Sequence, residues 1–248
     1  MVAAPGANET VYSISEKSTR RSFIDINIAG VAQLVEHHVA NVVVVGSNPI
    51  TRSTQHKVFM KTVGDKLKPF LLTGVNPGSD QFFDITEQSF PGKWKVVVYY
   101  PKDFTFVCPT EIVAYDKLFQ DFVDRDAVLL TGNTDNEFCK LAWQRSHEDL
   151  AKIRHVQFAD TQRQQRDFDQ DSFDFKNLSL IEQLGVFYVP AGAALRATFI
   201  IDPDNVIQHV TVNNLNVGRS PEETLRVLDA LQTGELCACN RSVGGATL

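Results

Sequence analysis

Cysteine is scarce in this chain: four in 248 residues do not make a disulfide scaffold. The N-terminus also lacks the basic, apolar and small-residue order of a secretory signal. A reducing cytoplasm is therefore the expected compartment, where a functional cysteine is more often a redox or metal group than a structural staple. Long apolar runs are missing too. Val42 to Val45 and Val96 to Tyr100 fall far short of the roughly 20 residues a membrane-spanning helix needs, so no membrane partner is expected. Positive charge is not in excess: 24 Lys and Arg stand against 30 Asp and Glu, and no basic stripe is interleaved with aromatics, which argues against nucleic acid as a partner. Neither common Gly-rich phosphate loop occurs among the 14 glycines, and no internal repeat is visible, so nucleotide chemistry has no support.

What is there divides in two. Residues 1–59, with MVAAPGANET, a valine run and GSNPITRSTQ, hold no lasting helical or strand period and read as poorly ordered. Gly30 to Thr54 resembles the peptide obtained when a reading frame runs through a transfer RNA gene. Met1 and Met60 are the two methionines, and the functional protein is expected to begin at Met60; a genuine targeting or interaction extension is the alternative. At 248 residues and 43% hydrophobic, the chain is long enough for one well-buried core, with room for a second small unit.

From Met60 onward strand and helix signals alternate, which predicts an α/β layered sheet. Lys95 to Tyr100 reads as a buried strand, and Ala127 to Thr131 as a second. After Pro109 the residues Ile112, Tyr115, Leu118, Phe119 and Phe122 keep helical spacing, with Glu111 in the first turn where it suits the helix dipole. Thr134 and Glu137 are read as a capping box for a further helix. Leu195 to Ile201 and Val206 to Val212 flank D-P-D-N and predict an antiparallel hairpin. Ser220, Pro221 and Glu223 open the last helix, and Gly234 closes it. Arg163 to Asn177, polar and interrupted by Phe, reads as a surface loop.

Cys108 stands where a strand and loop give way to a helix, near unpaired amides and the positive end of the helix dipole, a setting that favours a nucleophilic thiolate. Thr105 offers a hydroxyl on the same loop, and Pro101 stiffens its start. Read from residue type alone, a buried structural cysteine is the better reading of Cys108, and the helix-start position reverses that only in part.

PKDFTFVCPTE (Pro101 to Glu111) resembles the active-site motif of the peroxiredoxins, P-x-x-x-[TS]-x-x-C, in the form typical of the alkyl hydroperoxide reductase C group, the typical 2-Cys type. The likeness extends from Met60 to the C-terminus through GDKLKPFLL, TDNEFCKLAW, LRATFIIDPDNVIQHV, VGRSPEETLRVLDALQ and ELCACN. It implies a thioredoxin-like α/β fold, a central mixed sheet flanked by helices. It also implies a peroxidase that works through a sulfenic acid and a transient intersubunit disulfide, with neither metal nor other cofactor. By this resemblance Cys108 is the peroxidatic cysteine, Thr105 orients the peroxide, Pro101 shields the pocket, Arg196 stabilises the thiolate and polarises the O–O bond, and Glu111 holds Arg196.

Cys237 takes the place of the resolving cysteine supplied by the partner subunit, with Cys239 added in a C-A-C pattern. That pair could form half a zinc site, but neither a second pair nor a nearby histidine completes one in the sequence. Cys139 has no counterpart and is expected to be a small buried apolar residue. A homodimer, in some members a ring of dimers, and an external dithiol or disulfide reductase protein are the implied partners. A thioredoxin-type exchanger would need C-x-x-C at the helix start, whereas Pro109, Thr110 and Glu111 follow Cys108; a chaperone-like assembly without turnover stays open. The stretch after Trp143 carries no G-G-L-G segment and the chain does not end in a Tyr-Phe helix, which in this resemblance implies resistance to overoxidation.

Overall fold

The structure is a computed structural model that describes residues 60–161 and 179–248. The extension at 1–59 and the loop at Arg163 to Asn177 lie outside the described residues. The strands are β1 (Leu72–Val75), β2 (Phe82–Ile85), β3 (Trp94–Tyr99), β4 (Ala127–Asn133), β5 (Val156–Ala159), β6 (Phe187–Tyr188), β7 (Ala193–Ala194), β8 (Arg196–Ile201) and β9 (Ile207–Asn213). The helices are α1 (Cys108–Lys117), α2 (Phe119–Val123), α3 (Glu137–Ser146), α4 (Leu180–Leu184) and α5 (Pro221–Thr233). Seven strands form one mixed sheet in the order β2-β1-β5-β4-β3-β8-β9, and β6 pairs with β7 in a separate ribbon.

The valine run of β3 explains its place. It lies inside the sheet, parallel to β4 and antiparallel to β8, and β-branched residues suit a strand covered on both faces. Alternation then sorts its side chains. Val96 and Val98 pack with Tyr115 of α1, Phe122 of α2, and Leu225 and Leu228 of α5. Val97 and Tyr99 point the other way, onto Phe158, Phe199 and the α4 residues Leu180, Ile181 and Leu184. Fully burying a side chain of this kind contributes about 1.5–3 kcal/mol, so these two layers supply most of the force that fixes the sheet. Beside β4, a Cβ on Gly132 would meet the Phe158 carbonyl oxygen at 2.3 Å, so only glycine lets β4 and β5 approach there.

The predicted hairpin forms as β8 and β9. Its turn is held by Asp202, whose Oδ1 accepts from the amides of Asp204 and Val206, both at 2.9 Å. The last helix is capped as expected: the Ser220 hydroxyl accepts from the Glu223 amide, and Gly234 ends it at φ +66°. Two local expectations are corrected. The helix predicted through Phe122 is two helices broken at Leu118; the Asp116 carbonyl at the break accepts from Arg154 Nη2 at 2.5 Å. Thr134 is not the cap of α3; Asn136 is, its Oδ1 accepting from the Cys139 amide at 2.8 Å. Cys139 is half-buried rather than buried.

Candidate active site

β3 runs straight into the loop Pro101 to Val107, which delivers Cys108 to the first residue of α1, with Pro109 next in the first turn where its missing N–H costs nothing. Cys108 is 1% exposed and packs with Tyr100, Ile112, Trp143, Leu150 and Ile153. The helix start expected for the thiol is there, and in the fold aromatic and aliphatic side chains wall it in.

Arg196, the first residue of β8, is 4% exposed, which excludes a solvated strand arginine. Its Nη1 lies 3.5 Å from Cys108 Sγ and 2.6 Å from Glu111 Oε2, and its Nε donates to the Leu215 carbonyl at 2.6 Å. Glu111, one turn into α1 from the thiol, is buried and also receives Arg219. The Arg219 amide and Nε reach Oε1, each at 2.9 Å, and Nη2 reaches Oε2 at 3.1 Å. Arg219 Nη1 in turn donates to the carbonyls of Tyr99 and Ala197, both at 2.8 Å. Those two residues face each other where β3 meets β8, so Arg219 ties off the ladder just before the loop that carries the thiol. Two guanidiniums against one carboxylate leave one excess positive charge beside Sγ.

Thr105 is placed on the same loop, but its hydroxyl donates to the Lys102 carbonyl at 2.9 Å and is committed to the loop's own backbone. Pro101 is half-buried at the start of the loop. Cys237 is not in this cluster: its sulfur lies 3.5 Å from Thr233 Oγ1 and 3.8 Å from the Ala230 carbonyl, and Cys239 is exposed. A cavity of about 550 Å³ opens there, lined by Arg226, Val227, Leu231, Cys237, Cys239 and Asn240. Cys108 is not among the residues that line it. The C-terminal tail is tied down by Asp229, which accepts from Arg241 Nη1 at 2.7 Å, the Gly244 amide at 2.9 Å and Arg125 Nε at 3.0 Å. Partial burial works to raise the Asp229 pKa, but these donors outweigh it and hold the carboxyl below its ordinary value.

Arg219 was not singled out in the sequence, although it stands in VGRSPEE directly before the cap of α5. A second buried polar cluster was missed as well. Asp103 Oδ1 accepts from Tyr100 Oη at 2.7 Å and Asn133 Nδ2 at 3.0 Å, its Oδ2 from Lys140 Nζ at 3.3 Å, and its amide donates to Asp135 Oδ2 at 2.7 Å. Burial lowers the Lys140 pKa against the pull of Asp103 and Asp135, and burial with the Asp103 charge raises that of Tyr100. Behind α1, His155 Nδ1 lies 2.9 Å from Asp116 Oδ1 and its Nε2 3.0 Å from Thr131 Oγ1, in a fully buried row with no access for substrate. Among the described residues no group of three His, Cys, Asp or Glu is arranged to hold a metal, and no helix is long and apolar enough to cross a membrane.

Comparison with known proteins supplies the family. The AhpC/TSA family model matches residues 63–210. The chain is 42% identical over 197 residues to alkyl hydroperoxide reductase C of Mycolicibacterium smegmatis, covering 75% of this chain and 93% of the relative. Among solved structures, Mycobacterium tuberculosis AhpC is similar at a TM-score of 0.61 and 40% identity, covering 72% of this chain and 97% of that one. The reduced 2-Cys peroxiredoxin of Plasmodium vivax is similar at a TM-score of 0.64 and 30% identity, covering 75% and 92%. The fold is thioredoxin-like, and the chain belongs to the AhpC/TSA family, the peroxiredoxin group of thiol-dependent peroxidases.

Proposed function

We propose that this protein reduces hydrogen peroxide and small organic hydroperoxides with Cys108 as the nucleophile. The observation that carries the reading is a buried sulfur 3.5 Å from a guanidinium inside an ionic cluster with one uncompensated positive charge. The Cys108 thiolate attacks the outer peroxide oxygen; the O–O bond breaks, its electrons leave with the inner oxygen, and a proton completes water or an alcohol. The sulfur, oxidised by two electrons, is left as a sulfenic acid. Arg196 Nη1 supports both the thiolate and the charge developing on the leaving oxygen, while Glu111 and Arg219 keep it aimed. Thr105, once its hydroxyl turns from Lys102, orients the peroxide, and Pro101 limits water at the loop.

The sulfenic acid then condenses with Cys237 of the partner subunit, releasing water and forming a disulfide; Cys239 can stand in as the second thiol. An external dithiol protein supplies the two electrons that reopen it. This assigns the working unit to residues 60–248, as a homodimer that can build a ring of dimers, in the cytoplasm. Neither a metal nor an organic cofactor enters any of these steps. The test is peroxide consumption with a generic dithiol. Turnover by the wild-type protein that vanishes in Cys108→Ser supports the reading, and equal turnover by both refutes it.

A further inference from the structure

The loop that carries Cys108 is held very unequally at its two ends. At Asp103 it is pinned by Tyr100, Asn133, Asp135 and Lys140, and Lys140 is itself fully buried, its Nζ also 2.5 Å from Asn133 Oδ1 and 5.4 Å from the centre of the Tyr100 ring. Between Asp103 and Cys108 such anchors are missing. Thr105 bonds back to Lys102 within the same loop, Phe106 is 94% exposed, and Phe104 holds a left-handed φ of +54° with its ring 5.6 Å from that of Trp143. A bulky side chain in that backbone region is strained and persists because its surroundings hold it.

Two fates of the Cys108 sulfenic acid need opposite states of this loop. A disulfide requires a second sulfur at bonding distance, which a sulfur 1% exposed behind Trp143 and Ile112 cannot meet until the loop unwinds. Attack on a second peroxide, giving sulfinic acid and water, takes place in the folded pocket beside Arg196. The ratio of sulfinic acid to disulfide therefore follows the folding equilibrium of the loop. We propose that Lys140 is a positioning residue that, by pairing with Asp103, holds this loop folded and so sets the partition of the Cys108 sulfenic acid between disulfide and sulfinic acid. The proposal rests on the peroxidatic role of Cys108 argued above. Without Lys140 the buried Asp103 carboxylate loses its ion-pair partner and keeps only the neutral donors Tyr100 and Asn133, so the loop's charged anchor is lost.

The experiment quantifies sulfinic acid and disulfide at Cys108 by mass spectrometry across a peroxide series, in the wild-type protein, Lys140→Met and Tyr100→Phe. Lys140→Met is expected to raise the peroxide needed for half-conversion to sulfinic acid by about tenfold, the scale of one hydrogen bond to a charged group. Tyr100→Phe, which removes one hydroxyl donor and keeps the ring, is expected to move it in the same direction by about threefold, and decides the matter if Lys140→Met does not fold. The double variant Asp103→Asn with Lys140→Met removes both charges and should recover part of the wild-type ratio. Trp143 emission, sensing Phe104, should shift toward that of the unwound loop in the same order. A purely structural role would lower Tm and leave the ratio where it was, so an unmoved ratio, or one shifted toward sulfinic acid, in a folded variant overturns the clamp. Absence of both products at Cys108 in the wild-type protein overturns the peroxidatic reading and the clamp with it.

Discussion

Replacing Glu111 by glutamine separates the two things the carboxylate does: neutralise a pair of guanidiniums and aim one of them. In the wild-type fold Oε1 and Oε2 together accept from Arg196 Nη1 and from the amide, Nε and Nη2 of Arg219, all between 2.6 and 3.1 Å. A glutamine keeps the size but presents an NH2 to one of these donors, and it leaves Arg196 and Arg219 buried without a counter-charge. Removing one partner of a buried ion pair costs about 3–5 kcal/mol. At about 2–4 °C per kcal/mol for a domain of this size, Tm should fall by about 6–20 °C. Activity responds through geometry. Where the new NH2 faces Arg196, that guanidinium keeps only its Nε bond to Leu215, and its Nη1 is no longer fixed beside the sulfur. Loss of one charge-assisted bond, about 1.5–3 kcal/mol, corresponds to a fall of about tenfold to a hundredfold in the rate with peroxide. Stopped-flow reaction of the reduced protein, paired with thermal unfolding, measures both. An unchanged Tm with an unchanged rate would show that Glu111 is neither the counter-ion nor the aiming device.

Three further outcomes are expected. Arg219→Met should also lower Tm, because it strands the Tyr99 and Ala197 carbonyls as well as half of Glu111, while costing less in peroxide rate than Glu111→Gln since Arg196 keeps its carboxylate; a larger rate loss would mean Arg219 touches substrate. Cys237→Ser should lose most of the covalent dimer seen on a non-reducing gel after oxidation, and an unchanged dimer would place the resolving thiol elsewhere. Burial lowers the pKa of His155 below 6.5 despite Asp116, so below about pH 6.5 the unfolded chain takes up a proton that the folded one refuses. Stability should therefore fall as pH drops from 6.5. His155→Gln should flatten that slope in denaturant titrations, and an identical slope would refute the assignment. Asp116, held below 3.8 because its hydrogen bonds to His155 and Arg154 outweigh burial, adds its own loss only at still lower pH.

Cys108 could be singled out from its place at a helix start, but Glu111 and Arg196 were assigned their parts only through the resemblance to the peroxiredoxin motif; the fold brings the three side chains together. Arg219 was not legible, because what it does is tertiary. It lies 108 residues from Glu111 and meets it only when α5 packs beside α1. Lys140 is harder still. On a ten-residue helix with Glu137 and Arg145 it reads as one more solvated charge, and only the packing of α3 against the loop buries it on Asp103. The cap of α3 shows a smaller limit of the same kind: Thr134 and Asn136 are both good capping residues, and the choice falls to whichever side chain the loop aims at the Cys139 amide. At the break beside Leu118 the Asp116 carbonyl accepts from Arg154, a residue no helical period of α1 contains.

One sulfur, Cys108, is expected to take the first oxidation. With Cys237 and Cys239 both changed to serine, the sulfenic acid has no second thiol from the tail and should persist long enough to be trapped. The fully reduced double variant, given one equivalent of hydrogen peroxide and a sulfenic-acid-specific carbon nucleophile, should carry one label per chain, at Cys108, by peptide mass spectrometry. Label at the half-buried Cys139, or none at Cys108, would contradict the account.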